Sequence, residues 1–267
     1  MCYDISLKIS IREFLDFVPN VKAKKLVKFQ PTYHQLGMSF NPWPVVVDEG
    51  DGPELDEFIW GPVPKILDTP DKLRMERQKY LNARSEKFLD GKSMWSAIRH
   101  QRCIVPITGF FEYRQIEQEK QTKKGPKTEL VKVCYYISEG GKPFFIAGLW
   151  AKSMVPTKNP EGKWDYGTTT EAKTFNLATT EANSVLRQIH NSGDFAGRMP
   201  LILTEELAME WINPDLDDAG IQRVTSYQAP NEVFTFHPVV SVRKAHENVQ
   251  EILNAIEVPD LPPITVS

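Results

Sequence analysis

Cysteine is scarce in this chain. Cys2, Cys103 and Cys134 are the only three in 267 residues, and no two of them stand as CxxC. An odd count without metal-type spacing argues against a disulfide framework and a zinc site, and suits a reducing, cytoplasmic setting. Histidine is equally sparse: the five at 34, 100, 190, 237 and 246 include no i,i+4 pair, so no metal or other cofactor is expected. No apolar run reaches the roughly 18 residues of a membrane helix. The opening MCYDISLKIS has no basic segment leading into an apolar one, unlike a secretory signal, and no membrane partner is expected. Neither sign of charge dominates, with 32 basic against 35 acidic side chains and a net charge of −3. That balance neither points to nor excludes nucleic acid, which is bound by a local face rather than by the total. Lys22, Lys24, Lys25 and Lys28 form one local basic cluster, either a solvated face or a functional one. The phosphate loop GxxxxGK[ST], the nucleophile elbow GxSxG, the zinc motif HExxH and the Gly-rich dinucleotide fingerprint are all missing.

What is present is an ordinary globular composition, 41% hydrophobic and 25% charged, in a chain long enough for a sizeable core. Strand patterns concentrate in its middle: 45–47, 58–60, RCIVPI (102–107), FFEYRQ (110–115), LVKVCYYI, PFFIAGLWA, TFNLATT and FTFHPVV (234–240). RCIVPI and FFEYRQ are broken from each other at Thr108-Gly109. Helices are predicted at the end of 6–17, over 71–79, over 93–100, over 181–188, and from an N-cap at Thr204 through Trp211 with Glu205 and Glu206 in its first turn. The Pro-rich stretch 31–44 reads as irregular, 117–129 as an exposed hairpin connection, and 152–171 as a long loop. No βαβ alternation, internal repeat or linker occurs. The fold class is therefore α+β, one domain over 1–267 with a mostly antiparallel, barrel-like sheet and peripheral helices.

Four features carry chemistry. Cys2 follows the initiator Met1; if Met1 is removed, Cys2 offers an α-amine and a thiol on adjacent carbons, an aminothiol that no internal residue can supply. Glu112 lies among aromatics in GFFEY, either paired at a strand edge or placed in an apolar pocket that raises its pKa for acid–base work. His190 ends a short predicted helix, in a structural or a catalytic role. Asn82 and Arg84, two apart in LNARSE, project to one side of an extended segment and either tie down a loop or together hold an amine and an anion.

Taken in order, the terminal MC, LNARSE, RCIVPITGFFEY, PFFIAGLW, TTEANSVLRQIH with RMPLIL, and FTFHPVV resemble the SRAP family, the SOS-response-associated peptidases or abasic-site processing proteins. The match runs from residue 1 to about 245 and leaves a tail, 246–267. The resemblance implies a protein that recognises abasic sites in single-stranded DNA and attaches to them covalently through its N-terminal cysteine. It assigns Cys2, Asn82, Glu112 and His190 to catalysis, and Arg84 and Arg198 to DNA; Trp43 in SFNPWP is either a stacking surface for a neighbouring base or a core or loop anchor. It also implies self-removal of Met1, Schiff-base (lyase-type) chemistry, a role in the DNA-damage response, and a cytoplasmic monomer at the nucleoid when DNA-bound. The chain departs from the family's usual MCGR by carrying Tyr3 and Asp4. It lacks the tryptophans that commonly follow WG..P, having WGPVPKIL, and its NSGDFAG between His190 and Arg198 is longer than the common HxRMP. An N-terminal-nucleophile amidohydrolase and a non-catalytic binder of single-stranded or modified DNA are the alternative readings.

Overall fold

The structure is a computed structural model that describes residues 2–18, 20–24, 27–122, 125–244 and 248–266. Met1, Lys25 and His246 lie outside the described residues. Strand β1 (Asp4–Leu7) leads into helix α1 (Ile11–Phe17), followed by β2 (Lys22–Ala23), β3 (Thr32–Leu36), β4 (Pro42–Asp48) and β5 (Pro53–Trp60). Helix α2 (Pro70–Glu76) precedes the short β6 (Asn82–Arg84). The centre of the chain is β7 (Arg102–Ile107), β8 (Gly109–Thr122), β9 (Gly125–Ser138), β10 (Phe144–Lys158) and β11 (Trp164–Glu181). Then come α3 (Ser184–Ile189), β12 (Arg198–Pro200), β13 (Ile202–Leu203), α4 (Glu205–Ile212), α5 (Asp218–Thr225) and β14 (Thr235–Val239).

These strands form two sheets. A five-stranded sheet runs β14-β9-β8-β1-β3, and a nine-stranded one runs β12-β11-β10-β7-β4-β5-β2, with β13 on β10 and β6 on β11. Strand β5 also pairs with β11, so the run β11-β10-β7-β4-β5 returns on itself as a five-stranded barrel and leaves itself no open edge. Most pairings are antiparallel; β2–β5, β5–β11 and β6–β11 are parallel. The expected mostly antiparallel, barrel-like α+β fold is the observed one.

Apolar alternation explains the packing. In β7, Cys103, Val105 and Ile107 face one core and Ile104 the other; in β10, Phe144 and Ile146 oppose Phe145, Ala147 and Leu149 in the same way. The first core joins the two sheets, through Ile5, Phe110 and Ile137 on one side and Val45, Val105 and Phe175 on the other. The second lies under α1, α4 and α5, with Phe14, Trp211 and Ile221. Both faces of the central strands are buried, so they read as unbroken apolar runs. The helices start where their caps allow: Ser10 and Glu13 form a reciprocal capping box on α1, and Thr204 accepts from the Leu207 N–H on α4.

Several expectations need correction. Residues 152–171 are not a loop: β10 and β11 continue as a hairpin turned at 159–163, pairing Lys158 with Trp164 and Met154 with Glu171. Its outer half is solvated, so it lacks the period-two apolar signal that reveals a half-buried strand. Likewise the β8–β9 ladder runs on to Thr122 and Gly125, through the segment expected as a connection. Within the stretch expected to be irregular, 32–36 is strand β3, paired with β1. The expected helix over 93–100 is reduced to turns and a 3-10 turn at Ser96–Ile98, and α5 was not anticipated. In the basic cluster, Lys24 is held by Asp56, Glu54 and Glu49 at 3.1, 3.4 and 3.8 Å, so its own charge is matched within the fold.

Gly148 sits in β10 with its backbone close against its neighbours. A Cβ there would press on the Asn176 carbonyl oxygen and lie 3.0 Å from Cys103 Sγ. Gly148→Ala is expected to lower stability by about 1–3 kcal/mol through overpacking, read as a lower urea midpoint at unchanged slope; an unchanged midpoint would refute this close packing.

Candidate active site

The site is assembled around β1. This strand is hydrogen-bonded to β3 on one side and β8 on the other, with Asp4 opposite Leu36 and Phe111. Cys2 stands just before it and is completely buried. Its carbonyl accepts a hydrogen bond from Asn82 Nδ2 at 2.9 Å, and its thiol reaches the Asp4 carbonyl at 3.8 Å. Burial pushes the Cys2 thiol well above its ordinary range, and the carboxylates of Glu112 and Asp4 push the same way.

Asn82 and Arg84 lie on β6, parallel to β11 and opposite Leu177 and Thr179. The strand turns Ala83 into the core under the helices and puts its two neighbours on the other side. Asn82 is buried beside Cys2 and Arg84 is exposed. Glu112 on β8 is only 7% exposed. Its Oε2 lies 4.0 Å from His190 Nε2, and burial raises its pKa, with the facing imidazole working against that rise. His190 caps α3, and its Nδ1 lies 2.8 Å from the Arg198 carbonyl. A carbonyl only accepts, so Nδ1 carries the proton and Nε2 is the nitrogen turned to Glu112. Two buried acceptors at this site, Asn82 Oδ1 and Glu112 Oε1, have no hydrogen-bond partner.

Two further expected DNA contacts, Trp43 and Arg198, make contacts within the fold. Trp43 is fully buried, donates from Nε1 to the Pro106 carbonyl at 3.0 Å and meets Phe29 edge-on. Pro42 and Pro44 on either side lack N–H donors, and the indole supplies a bond from this half of β4 to β7. It cannot stack on a base without leaving the core. Arg198 is held by Glu86 through Nη1 and Nη2 at 2.6 and 2.9 Å and also donates to the Thr179 carbonyl. Its Nη1 and Nη2 are bonded within the fold while its buried Nε has no hydrogen-bond partner, and its carbonyl is what orients His190.

The sequence reading also overlooked a network behind Cys2. Asp4 is almost completely buried, paired to Arg243 Nη2 at 2.7 Å and to His34 Nε2 at 2.8 Å. The available signal was an acidic residue within an otherwise apolar strand, a group that is rarely buried without a partner. Arg243 borders a cleft of about 680 Å³ together with Tyr3, Glu112, Tyr113, His190 and Phe195. A second cleft, of about 400 Å³, contains Asn82, Arg84, Tyr80 and Trp95 and shares Phe195 with the first. Among the described residues no group of three or more His, Cys, Asp or Glu side chains could hold a metal, the three cysteines are unpaired, and no helix is long and apolar enough to cross a membrane.

Such a constellation offers an acid–base pair, buried acceptors for an amine and cationic flanks. Proteins named abasic site processing protein resemble this chain: YoqW of Bacillus subtilis is 28% identical over 173 residues, covering 65% of this chain. HMCES of Xenopus tropicalis is 24% identical, covering 89% of this chain and 70% of its own. The chain matches 63% of the length of YoqW, less than two thirds of that relative. Among solved structures, a protein from Bacteroides thetaiotaomicron shares the fold with a TM-score of 0.71 at 24% identity, covering 96% of this chain and all of that one. A phage-related protein from Bordetella bronchiseptica has a TM-score of 0.61 at 21% identity, covering 90% of this chain and 95% of its own. The sequence model of the SOS response associated peptidase family matches residues 1–244, and the chain belongs to that family, SRAP.

Proposed function

We propose that this protein captures abasic sites in single-stranded DNA as a covalent adduct on Cys2, once Met1 has been removed. The observation that carries this reading is the pair of buried, partnerless acceptors at Cys2, Asn82 Oδ1 and Glu112 Oε1. A buried acceptor left unpaired costs about 1–3 kcal/mol and calls for an explanation. An α-amine on Cys2 brings two or three N–H donors to this place. Asn82 already holds the Cys2 carbonyl, and Glu112 already acts on the Cys2 thiol.

The chemistry follows from these groups. An abasic sugar opens to an aldehyde, with Glu112 or His190 moving the proton between its ring oxygen and hydroxyl. At pH 7 about a tenth of an α-amine is neutral. Its nitrogen attacks the carbonyl carbon to give a carbinolamine, and protonation of the hydroxyl releases one water and leaves an imine. The sulfur then bonds to the imine carbon while its proton passes to the nitrogen, closing a five-membered thiazolidine. No electrons are gained or lost, and one water leaves. The neutral acid form of Glu112, favoured by burial, suits the water-loss step; its ionised form suits removal of the thiol proton. Arg84, exposed beside Asn82, would hold a neighbouring phosphate, a contact that positions the strand without reading its sequence. Hydrolysis of the Met1–Cys2 bond by this same acid–base pair, and β-elimination from the imine, belong to the same reading, as does a role in the DNA-damage response.

The test uses a single-stranded oligonucleotide with one abasic site. One adduct per protein is expected, stable to heat in detergent, with a mass equal to the chain without Met1 plus the strand minus one water. Cys2→Ala is expected to abolish it. Cys2→Ser is expected to retain only an imine that borohydride traps. Absence of an adduct from a chain proven to lack Met1 would overturn the proposal, and repeated turnover of an amide would replace it with hydrolase activity.

A second measurement checks the state of Glu112. A carboxyl whose pKa is raised in the folded state gives stability that is fully present below the unfolded value and lost as pH rises through the folded one. Glu112→Gln removes that loss, so the variant is expected to gain stability relative to the parent as pH is raised from the ordinary carboxylate range toward 8. A pH-independent difference in urea unfolding would contradict the raised pKa.

A further inference from the structure

We infer that Phe195 fills the gap left by the missing base, stacking on the base next to the abasic nucleotide and so selecting abasic over intact strands. This inference rests on the reading above and adds the residue that distinguishes the two kinds of strand.

The loop 191–197 links His190 to Arg198, and it is anchored at both ends. The Asn191 side chain accepts from the Gln115 N–H and donates to the Gln115 carbonyl, both at 2.8 Å. Gly197 donates to the His190 carbonyl at 2.8 Å, and Ala182 donates to Gly197. Gly193 and Gly197 take φ of 88° and 72°, values that side chains with a Cβ rarely adopt, and these let the short loop fold back on itself. This closure presents Phe195 outward with 37% of its surface exposed, although it is among the most apolar side chains in the chain.

Position gives that exposure a meaning which a lone surface aromatic lacks. Phe195 is shared by the cleft containing Glu112 and His190 and by the one containing Asn82 and Arg84. It therefore stands between the acid–base pair and the candidate phosphate contact. The Arg84 guanidinium carbon lies 5.8 Å from its ring centre, within the range of a cation–π contact. On the other side the cleft is closed by Arg243, whose charge is matched by Asp4 through Nε and Nη2. A strand laid past Arg84 toward the cleft of Glu112 and His190 thus passes over Phe195, with a cationic contact at Arg84. Where a base is present, it occupies the space beside its neighbour. Where it is absent, the neighbouring base has an open face, and an aromatic ring offered there recovers stacking that is tolerant of sequence. Occupation of that gap also brings the adjacent abasic sugar to the cleft of Glu112 and His190.

The experiment compares an intact single strand with one carrying a tetrahydrofuran analogue, which cannot open to an aldehyde, each with 2-aminopurine next to the central position. Binding is followed by anisotropy and stacking by 2-aminopurine fluorescence, for the parent, Phe195→Ala and Phe195→Tyr. The parent is expected to bind the analogue strand more tightly than the intact one. Phe195→Ala should weaken binding to the analogue strand roughly ten- to a hundredfold, change intact-strand binding less than about twofold, and abolish the fluorescence response. Phe195→Tyr should restore both. Equal losses on the two strands, no loss, or an unchanged fluorescence response in Phe195→Ala would overturn the inference. A parallel reaction with a true abasic strand separates the failures: a parent that forms the adduct while Phe195→Ala keeps full selectivity sinks this inference alone. A parent with neither adduct nor preference sinks the proposed function and this inference with it.

Discussion

The arrangement depends on a buried ion cluster in an interior strand. Asp4 is placed by β1 between β3 and β8, where water does not reach it. A carboxylate in that position is tolerated only with partners, and removing one strands a charge in a low-dielectric interior. His34 comes from β3 and Arg243 from the segment after β14, so the same contact ties together three distant parts of the chain. Cys2 lies two residues ahead of Asp4, and its position is inherited from that anchoring. A one-residue slip of β1 would turn Ile5 and Leu7 out of the core and Asp4 into it, which holds the register in place.

The polar groups at the site divide into those that hold and those that face the cleft. Arg198 holds: its guanidinium ties Glu86 to Thr179, and its carbonyl fixes the tautomer of His190. Asn82 both holds the Cys2 carbonyl and keeps one acceptor unused. Glu112 and His190 face each other at 4.0 Å, close enough to interact electrostatically, and both border the same cleft. An acid–base pair kept dry and partly unsatisfied is the kind of local cost that structures carry at functional sites.

Much of this was legible in the residues. The break at Thr108-Gly109, the strands on either side of it, the capped helix after Thr204 and the shared side of Asn82 and Arg84 follow from alternation and capping alone. Trp43 shows the limit: an indole between two prolines reads equally as surface or core, and only its bond to Pro106 decides for the core. Arg198 shows it again, because the Glu86 that binds it is more than a hundred residues away in the chain. The hairpin at 152–171 escaped because a solvated ladder is held by backbone pairing, which is indifferent to side-chain polarity.

Local sequence, then, determined which segments could be strands or helices and which residues carried reactive groups, because periodicity and capping act over a few residues. Their assembly was decided by tertiary structure. Cys2, Asn82, Glu112 and His190 come from four separate elements, brought together when β1 inserts beside β8 and β6 beside β11. The pairing of Asp4 with Arg243, the burial of Trp43, the pairing of Arg198 with Glu86, and the display of Phe195 were decided there as well. Each is a contact between chain-distant groups whose energy exists only once the intervening core has excluded water.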